Sequence, residues 1–342
     1  MTRQRRDANL ATGVLMPLVA IVLTGCQTSL TTDFTSAGSR SVSTTADSPW
    51  QTVQLTRTLS KTDEPMREIA ISPDGTLIAS GSVDGNVTLW ALQTGNRLRD
   101  FMTRSKVASI AFSPNGQILA TGSEDGKGRL WQVRTGKFLH QFATYPFPVQ
   151  SIAFSPNGAL LATSSWKQTV ELWDTKTQKS IRTLNGHSDT VNAIVFSRDS
   201  KTLASGSYDG TVRLWNPTTG KLIHTFVVSK SPVYALALSP DGQTLATGSD
   251  NTIKVWNVKR AQLTATLSDH SDVITAVTIA PDGRTIISGS RDKTIKVWEL
   301  ATGALVKTIV SDRTLALAIS PDGRAIASTG SDGTVKLWQT TP

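Results

Sequence analysis

The sequence contains few of the residues that metal and redox sites require. A single cysteine among 342 residues excludes an intramolecular disulfide, a cysteine-rich zinc site and a cysteine-ligated iron–sulfur cluster. Four histidines leave little for a histidine-built metal site, and the Asp-Gly turns lack the spaced oxygen ligands of a calcium loop. The chain has no phosphate-binding loop, dinucleotide fingerprint or nucleophile elbow. We therefore predict no metal, no cofactor, no catalytic residue and no small-molecule substrate.

Glutamate and aromatic residues are also scarce, whereas Ser and Thr together number 83. This mix favours strands and turns over helices. The 35 Lys and Arg exceed the 26 Asp and Glu, which gives a formal net charge of +9. Such a charge suggests anionic partners or surfaces and says little about the fold.

The longest apolar run lies at the N-terminus and covers Leu10 to Leu23, with Arg3, Arg5 and Arg6 before it. A membrane-spanning helix needs about 20 apolar residues, so this run of fourteen is too short to be a stable span. A basic start followed by a short apolar core is typical of an export signal. Nucleic acid is therefore not an expected partner.

The export signal ends in Leu23-Thr24-Gly25-Cys26, which resembles the lipobox of bacterial lipoproteins. The resemblance implies that Cys26 is acylated and becomes the first residue of the mature protein; the alternative is an ordinary secretory signal with a chance cysteine. Gln27, which is not Asp, implies the outer membrane by the sorting rule of that family. We expect a signal peptide over 1–25 and a lipid-anchored, Ser/Thr-rich tether over 26–49. The remainder would lie in the periplasm or outside the cell.

From residue 50 onward two features repeat at intervals of 40 to 42 residues. The first is a turn of the Ser-Pro-Asp/Asn-Gly type, which begins at Ser72, Ser113, Ser155, Ser197, Ser239, Ala280 and Ser320. The second is a tryptophan, found at Trp90, Trp131, Trp173, Trp215, Trp256, Trp298 and Trp338. A period of about 40–45 residues with four short strands per unit is typical of propeller blades.

Each unit contains short β-branched segments bounded by Gly, Pro, Asn or Asp, such as VNAIVF, TLASGS, TVRLW and KLIHTF in the fourth. These repeats resemble the WD-repeat family over residues 50–342, although only Trp173-Asp174 is a literal Trp-Asp pair. The resemblance implies an all-β, seven-bladed propeller of four-stranded antiparallel blades. The last unit lacks a fourth strand, and residues 51–59 look like the fourth strands elsewhere. We predict that this N-terminal strand completes the last blade and closes the ring.

Two units match the buried His–Ser–Asp–Trp tetrad of the WD-repeat family, namely His187, Ser205, Asp209, Trp215 and His270, Ser288, Asp292, Trp298. A His–Asp–Ser set also suggests a hydrolase, but a catalytic serine must be exposed beside an oxyanion hole. We therefore interpret both sets as structural. The other five units have no equivalent histidine, and we expect them to rely on packing alone. Basic residues of the third strand, Arg129, Arg213, Lys254, Lys296 and Lys336, are expected to flank the tetrad positions.

The resemblance also implies a binding surface on the top face of the ring, where members of the family hold partners. The corresponding positions are the starts of the inner strands and the residue before the tetrad Asp. They include Arg67, Lys106, Arg291, Arg313, Trp166, Tyr208 and Tyr234. Tyr145 and Phe147, in the loop before the third unit, map to the same face, where they either bind a partner or pack the loop.

The sequence therefore predicts a non-catalytic scaffold that binds proteins or a multiprotein envelope complex. One alternative is an assembly factor of an envelope complex. Another is a hydrolase that uses the central channel, which would need carboxylates or histidines at its mouth. The inner strands contain mostly Ala, Ile, Val and Ser, so this second alternative has little support.

Overall fold

The computed structural model describes residues 48–340. The predicted signal peptide, Cys26 and nearly all of the tether lie outside these residues. Within the described part, no helix is long and apolar enough to cross a membrane. The strands are numbered along the chain.

Each unit contributes an innermost strand and a second strand that pairs with it. The innermost strands are β2 (Met66–Ile71), β6 (Val107–Phe112), β10 (Val149–Phe154), β14 (Val191–Phe196), β18 (Val233–Leu238), β22 (Ile274–Ile279) and β26 (Thr314–Ile319). The second strands are β3 (Leu77–Ser82), β7 (Ile118–Ser123), β11 (Leu160–Ser165), β15 (Leu203–Ser207), β19 (Thr244–Ser249), β23 (Thr285–Ser290) and β27 (Ala325–Gly330).

A third and a fourth strand complete each sheet toward the outside. The third strands are β4 (Asn86–Ala91), β8 (Lys127–Gln132), β12 (Val170–Asp174), β16 (Thr211–Trp215), β20 (Thr252–Asn257), β24 (Thr294–Glu299) and β28 (Thr334–Gln339). The fourth strands are β5 (Arg97–Met102), β9 (Phe138–Thr144), β13 (Ser180–Leu184), β17 (Leu222–Val227), β21 (Gln262–Leu267), β25 (Leu305–Val310) and, from the N-terminus, β1 (Gln54–Lys61).

The seven four-stranded sheets are the blades of a propeller, with antiparallel neighbours throughout. We number them one (β2–β5) to seven (β26–β28 with β1). The innermost strands of successive blades contact one another, and β2 contacts both β6 and β26, so the ring of inner strands is closed. The predicted fold class is confirmed.

The ring is closed by the N-terminal strand, as predicted. Strand β1 pairs antiparallel with β28 in the order β1-β28-β27-β26, and its register runs from Gln54 opposite Gln339 to Lys61 opposite Thr334. A 3-10 helix over Pro49–Thr52 precedes β1. Within it, Trp50 is only 1% exposed and joins the core that blades six and seven share. The sequence did not predict this role for Trp50.

Close packing between blades explains one recurrent glycine. Gly81 lies in the second strand of blade one, and a Cβ placed there would come within 2.6 Å of Val107 Cγ1 on the inner strand of blade two. Gly122 has the same relation to Val149, with a separation of 2.7 Å. Only glycine lets neighbouring blades approach this closely. The tight ring holds the ends of the inner strands in fixed relative positions.

Candidate functional site

The predicted tetrad of blade four is present as a continuous hydrogen-bonded chain. His187 Nδ1 lies 2.8 Å from Asp209 Oδ2, and His187 Nε2 lies 2.8 Å from Ser205 Oγ. Trp215 donates from Nε1 to Ser205 Oγ at 2.8 Å. Burial lowers the pKa of the His187 imidazole, although Asp209 opposes this shift. In a neutral ring Nδ1–H therefore donates to Asp209, and Nε2 accepts a hydrogen bond from the Ser205 hydroxyl.

Blade six repeats this arrangement. His270 contacts Asp292 at 2.6 Å and Ser288 at 2.8 Å, and Trp298 donates to Ser288 at 2.9 Å. Burial lowers the pKa of His270 as well. Burial works against ionisation of Asp292, but hydrogen bonds from Thr294 and His270 outweigh it and lower the pKa of this carboxyl.

The tetrads lack the access that a hydrolase would need. Ser205 and Ser288 are fully buried, and each hydroxyl already has a tryptophan and a histidine as partners. A nucleophilic serine must reach a substrate beside an oxyanion hole. The geometry supports the structural interpretation of both tetrads, because mutually satisfied polar groups fix one packing arrangement.

The expectation that the other five blades rely on packing alone is wrong. In each of them the tryptophan that repeats in every unit donates from Nε1 to a Ser or Thr hydroxyl of the second strand, at 2.8 to 3.1 Å. The acceptors are Ser80, Thr121, Thr163, Thr247 and Ser328. A buried indole N–H needs a partner, so the pattern of Ser and Thr in the second strands could have revealed these bonds.

Tyr145 supplies in blade three the contact that histidine makes elsewhere. Its hydroxyl lies 3.0 Å from Thr163 Oγ1 and donates to Glu171 Oε2 at 2.6 Å. The side chain is only 8% exposed, and burial together with the bond to Glu171 raises its pKa. Lys167 Nζ lies 5.3 Å from the centre of the tyrosine ring. Of the two roles left open for Tyr145, the structure supports packing, so its assignment to the binding surface is corrected.

The basic residues of the third strand flank these networks, as expected. Four of them have protein partners: Arg129 with Asp125, Lys254 with the Val228 carbonyl, Lys296 with Asp269, and Lys336 with Asp332. Their charges are therefore used within the blades.

The predicted surface residues share one end of the ring. In each blade the start of the inner strand pairs with the end of the second strand, for example Val149 opposite Ser165 and Ile274 opposite Ser290. Residues at the first positions of inner strands and just after second strands therefore lie together at one mouth of the channel. We call this end the top face.

A three-membered ion cluster joins blades one and two on the top face. Arg67 Nη1 lies 2.7 Å from Glu124 Oε1, and Lys106 Nζ lies 3.3 Å from Glu124 Oε2. All three side chains are about one-third to one-half exposed, so the ion pairs add little to the stability of the fold and mainly fix where the three side chains lie. One carboxylate offsets part of the positive charge of the two cations.

Two aromatic pairs lie on blades three to five. Phe147 stacks on Trp166 with ring centres 6.4 Å apart, and the two side chains are 42% and 51% exposed. Tyr208 meets the half-buried Tyr234 edge to face at 5.7 Å. Burial, the neighbouring Tyr234 and Asp189 raise the pKa of the 39% exposed Tyr208, while Arg291 and Arg67 oppose this shift. Tyr208 therefore lies within electrostatic range of cations from blades six and one.

Glu68 was missed by sequence reasoning. It lies on inner strand β2, beside the channel, and its Oε1 accepts a hydrogen bond from the Ile69 amide at 3.1 Å. Burial raises the pKa of this carboxyl from 4.5 to about 7, against the effects of the Ile69 amide and Arg67. The signal was available, since the aligned residues of the other inner strands are Ser or Ala. The residues described here contain no cluster of three or more His, Cys, Asp or Glu that could hold a metal.

Three protein-family models match the chain. The model described as WDR90, 4th beta-propeller, matches residues 190–319, and that of Nucleolar protein 10-like, N-terminal domain, matches residues 47–200. The model described as WD domain, G-beta repeat, matches residues 305–339. A comparison with curated proteins found no match. Together with the seven four-stranded blades, these similarities support the assignment of the chain to the seven-bladed WD-repeat propellers.

Proposed function

We propose that the protein is a non-catalytic scaffold that binds a partner protein on the top face. WD-repeat propellers generally bind other proteins and are typically non-catalytic. The observation that carries the proposal is the exposure of Phe147, Trp166 and Tyr208, each paired with another aromatic ring, on the same face of a closed ring as exposed arginines. Exposed aromatic and arginine side chains dominate the energetics of protein interfaces, and a fixed frame lowers the entropic cost of binding.

The test is affinity capture followed by identification of the bound proteins. The wild type is compared with a Trp166→Ala, Tyr208→Ala double variant and with a control, Leu98→Ala plus Ile223→Ala. The control also removes two exposed hydrophobic side chains, but from fourth strands at the outside of the ring. We expect a specific partner to be lost from the first variant and retained by the control. Equal recovery by all three proteins would contradict the proposed surface.

We further propose that the scaffold is exported and held at a bacterial membrane, with the outer membrane favoured, through an acylated Cys26, where it binds an envelope protein or complex. The support is the sequence around Cys26, which is the only cysteine of the chain, and the basic and apolar segments before it. Labelling with a radioactive fatty acid tests the anchor in the wild type and in Cys26→Ser. We expect label only in the wild type, and label retained by Cys26→Ser would refute the anchor.

A further inference from the structure

Some charged residues of the channel mouth form ion pairs within the protein, and others do not. At the aligned positions of the top face the cations are Arg67, Lys106, Arg291 and Arg313, and the acids are Glu124 and Asp250. These positions carry a net formal charge of +4 − 2 = +2. Glu124 is shared by Arg67 and Lys106. Arg291 and Arg313, both exposed, form no ion pair within residues 48–340.

Many acidic side chains around the mouth, in contrast, already form ion pairs or accept hydrogen bonds within the protein. Asp209 and Asp292 belong to the tetrads, and Asp125 pairs with Arg129. Asp312 accepts hydrogen bonds from the Ser331 hydroxyl and the Asp332 amide. Asp269 pairs with Lys296. The cations at the mouth that form no ion pair within residues 48–340, Arg291 and Arg313, therefore lie on blades six and seven, whereas the exposed acids Asp63, Glu64, Asp189 and Asp250 lie on blades one, four and five.

The tyrosine pair lies near Arg291. The Arg291 amide donates to the Val273 carbonyl, directly before β22, and β22 contacts β18, the strand that carries Tyr234. Tyr234 contacts Tyr208, and Arg291, Arg67 and Asp189 all lie within electrostatic range of Tyr208. A ligand that contacts the pair can therefore also meet Arg291. Arginine binds carboxylates through two parallel N–H bonds, and a tyrosine ring offers a flat surface to an apolar or aromatic side chain.

We propose that the channel mouth binds an acidic, extended segment of a partner protein. Carboxylates of this segment lie against Arg291 and Arg313, and an aromatic or apolar side chain lies against the Tyr208–Tyr234 pair. The inference rests on the proposed scaffold function and adds the chemistry of the partner. Exposed Asp63, Glu64 and Asp250 on the same end of the ring would repel an anionic bilayer, whereas a narrow peptide can reach the arginines between them.

The test measures binding of fluorescein-labelled heptapeptides by fluorescence anisotropy. The acidic probe has two carboxylates on each side of one tyrosine, and the basic probe has lysines in the same places. We expect the wild type to bind the acidic probe about tenfold more tightly than the basic one, with affinity that falls as salt rises. Arg291→Ala plus Arg313→Ala should lower the affinity for the acidic probe about tenfold and weaken its salt dependence.

A matched control removes two arginines elsewhere. Arg198 and Arg284 are exposed in the turns between inner and second strands, at the opposite end of the blades, and Arg198→Ala plus Arg284→Ala should bind the acidic probe like the wild type. Equal affinity for the two probes, or an unchanged affinity in the Arg291, Arg313 double variant, would overturn the proposal. Flotation with vesicles containing one-third phosphatidylglycerol provides a further outcome. Vesicle binding without binding of the acidic peptide would overturn the proposal in favour of lipid.

The two proposals fail separately. If the Trp166, Tyr208 variant loses its partner but the acidic probe does not bind, the scaffold stands and only the acidic segment is refuted. If the acidic probe binds as expected but capture recovers the same proteins with every variant, the scaffold proposal fails instead.

Discussion

Glu68 makes the stability of the propeller depend on pH in a direction that can be calculated. Its pKa rises from 4.5 in an unfolded chain to about 7 in the folded ring, because burial disfavours the carboxylate. The folded state therefore holds the proton more tightly than the unfolded state. The resulting stabilisation is complete below pH 4.5 and is lost as the pH rises through about 7.

The size of this effect follows from the same two values. At about 1.4 kcal/mol for each unit of pKa, the interval from 4.5 to about 7 corresponds to about 3 kcal/mol. Glu68 is only partly buried by its accessible surface, so water in the channel screens the charge and we expect about 1–3 kcal/mol. Glu68→Gln removes the ionisation and keeps a side-chain oxygen that can accept the Ile69 amide hydrogen. The variant should be more stable than the wild type at pH 8.5 by this amount, and nearly equal to it at pH 4.5.

Urea unfolding at pH 4.5, 6, 7 and 8.5 measures the difference, with tryptophan fluorescence as the signal. Glu64→Gln is the matched control, since it makes the same substitution at an exposed residue two positions before β2. The control should show no pH-dependent gain over the wild type. A difference between Glu68→Gln and the wild type that does not grow from pH 4.5 to 8.5 would refute the argument.

Three further changes test the packing. Deletion of residues 51–60 removes most of β1 and should lower the melting temperature sharply, as measured by circular dichroism; an unchanged melting temperature would contradict the role of β1 in ring closure. Trp50→Ala should cost about 3–5 kcal/mol in urea unfolding, because the side chain is 1% exposed between blades six and seven, and a loss below about 1 kcal/mol would contradict that packing. Tyr145→Phe removes the hydroxyl bound to Thr163 and Glu171 and should cost about 1–3 kcal/mol in urea unfolding. Tyr234→Phe should cost less, because Tyr234 is only half-buried and its hydroxyl has no such buried partners among residues 48–340.

The repeat spacing accounts for how much of the fold could be predicted. Two ladders of turns and tryptophans with the same period fixed the number of blades, and the missing fourth strand of the last unit led to β1. Trp50 could not be placed in the same way, because it precedes the first unit and has no counterpart in the repeats. Tyr145 could have been placed, since it lies 18 residues before Thr163, as His187 lies 18 residues before Ser205 and His270 before Ser288.

The repeat positions also account for the outcome at the candidate site. Tyr208 and Arg291 occupy repeated positions and lie at the top face, as the alignment predicted. Tyr145 occupies the tetrad-histidine position of blade three and turns inward, where its hydroxyl contacts Thr163 and donates to Glu171. Its neighbour Phe147 turns outward and stacks on Trp166. The repeat position, rather than the loop sequence, would have indicated which of the two rings is buried.

The complete tetrads give the proposed site a rigid support. Tyr208 directly precedes Asp209, and Arg291 directly precedes Asp292. Each of these carboxylates is held by a buried histidine and by a neighbouring threonine hydroxyl, so the turn that carries the exposed side chain has little freedom. Side chains that are already fixed before binding lose less entropy when a partner docks. The two blades with full tetrads are the two that present Tyr208 and Arg291. Their buried hydrogen-bonded networks therefore stabilise the ring and also hold these two residues of the proposed binding surface in place.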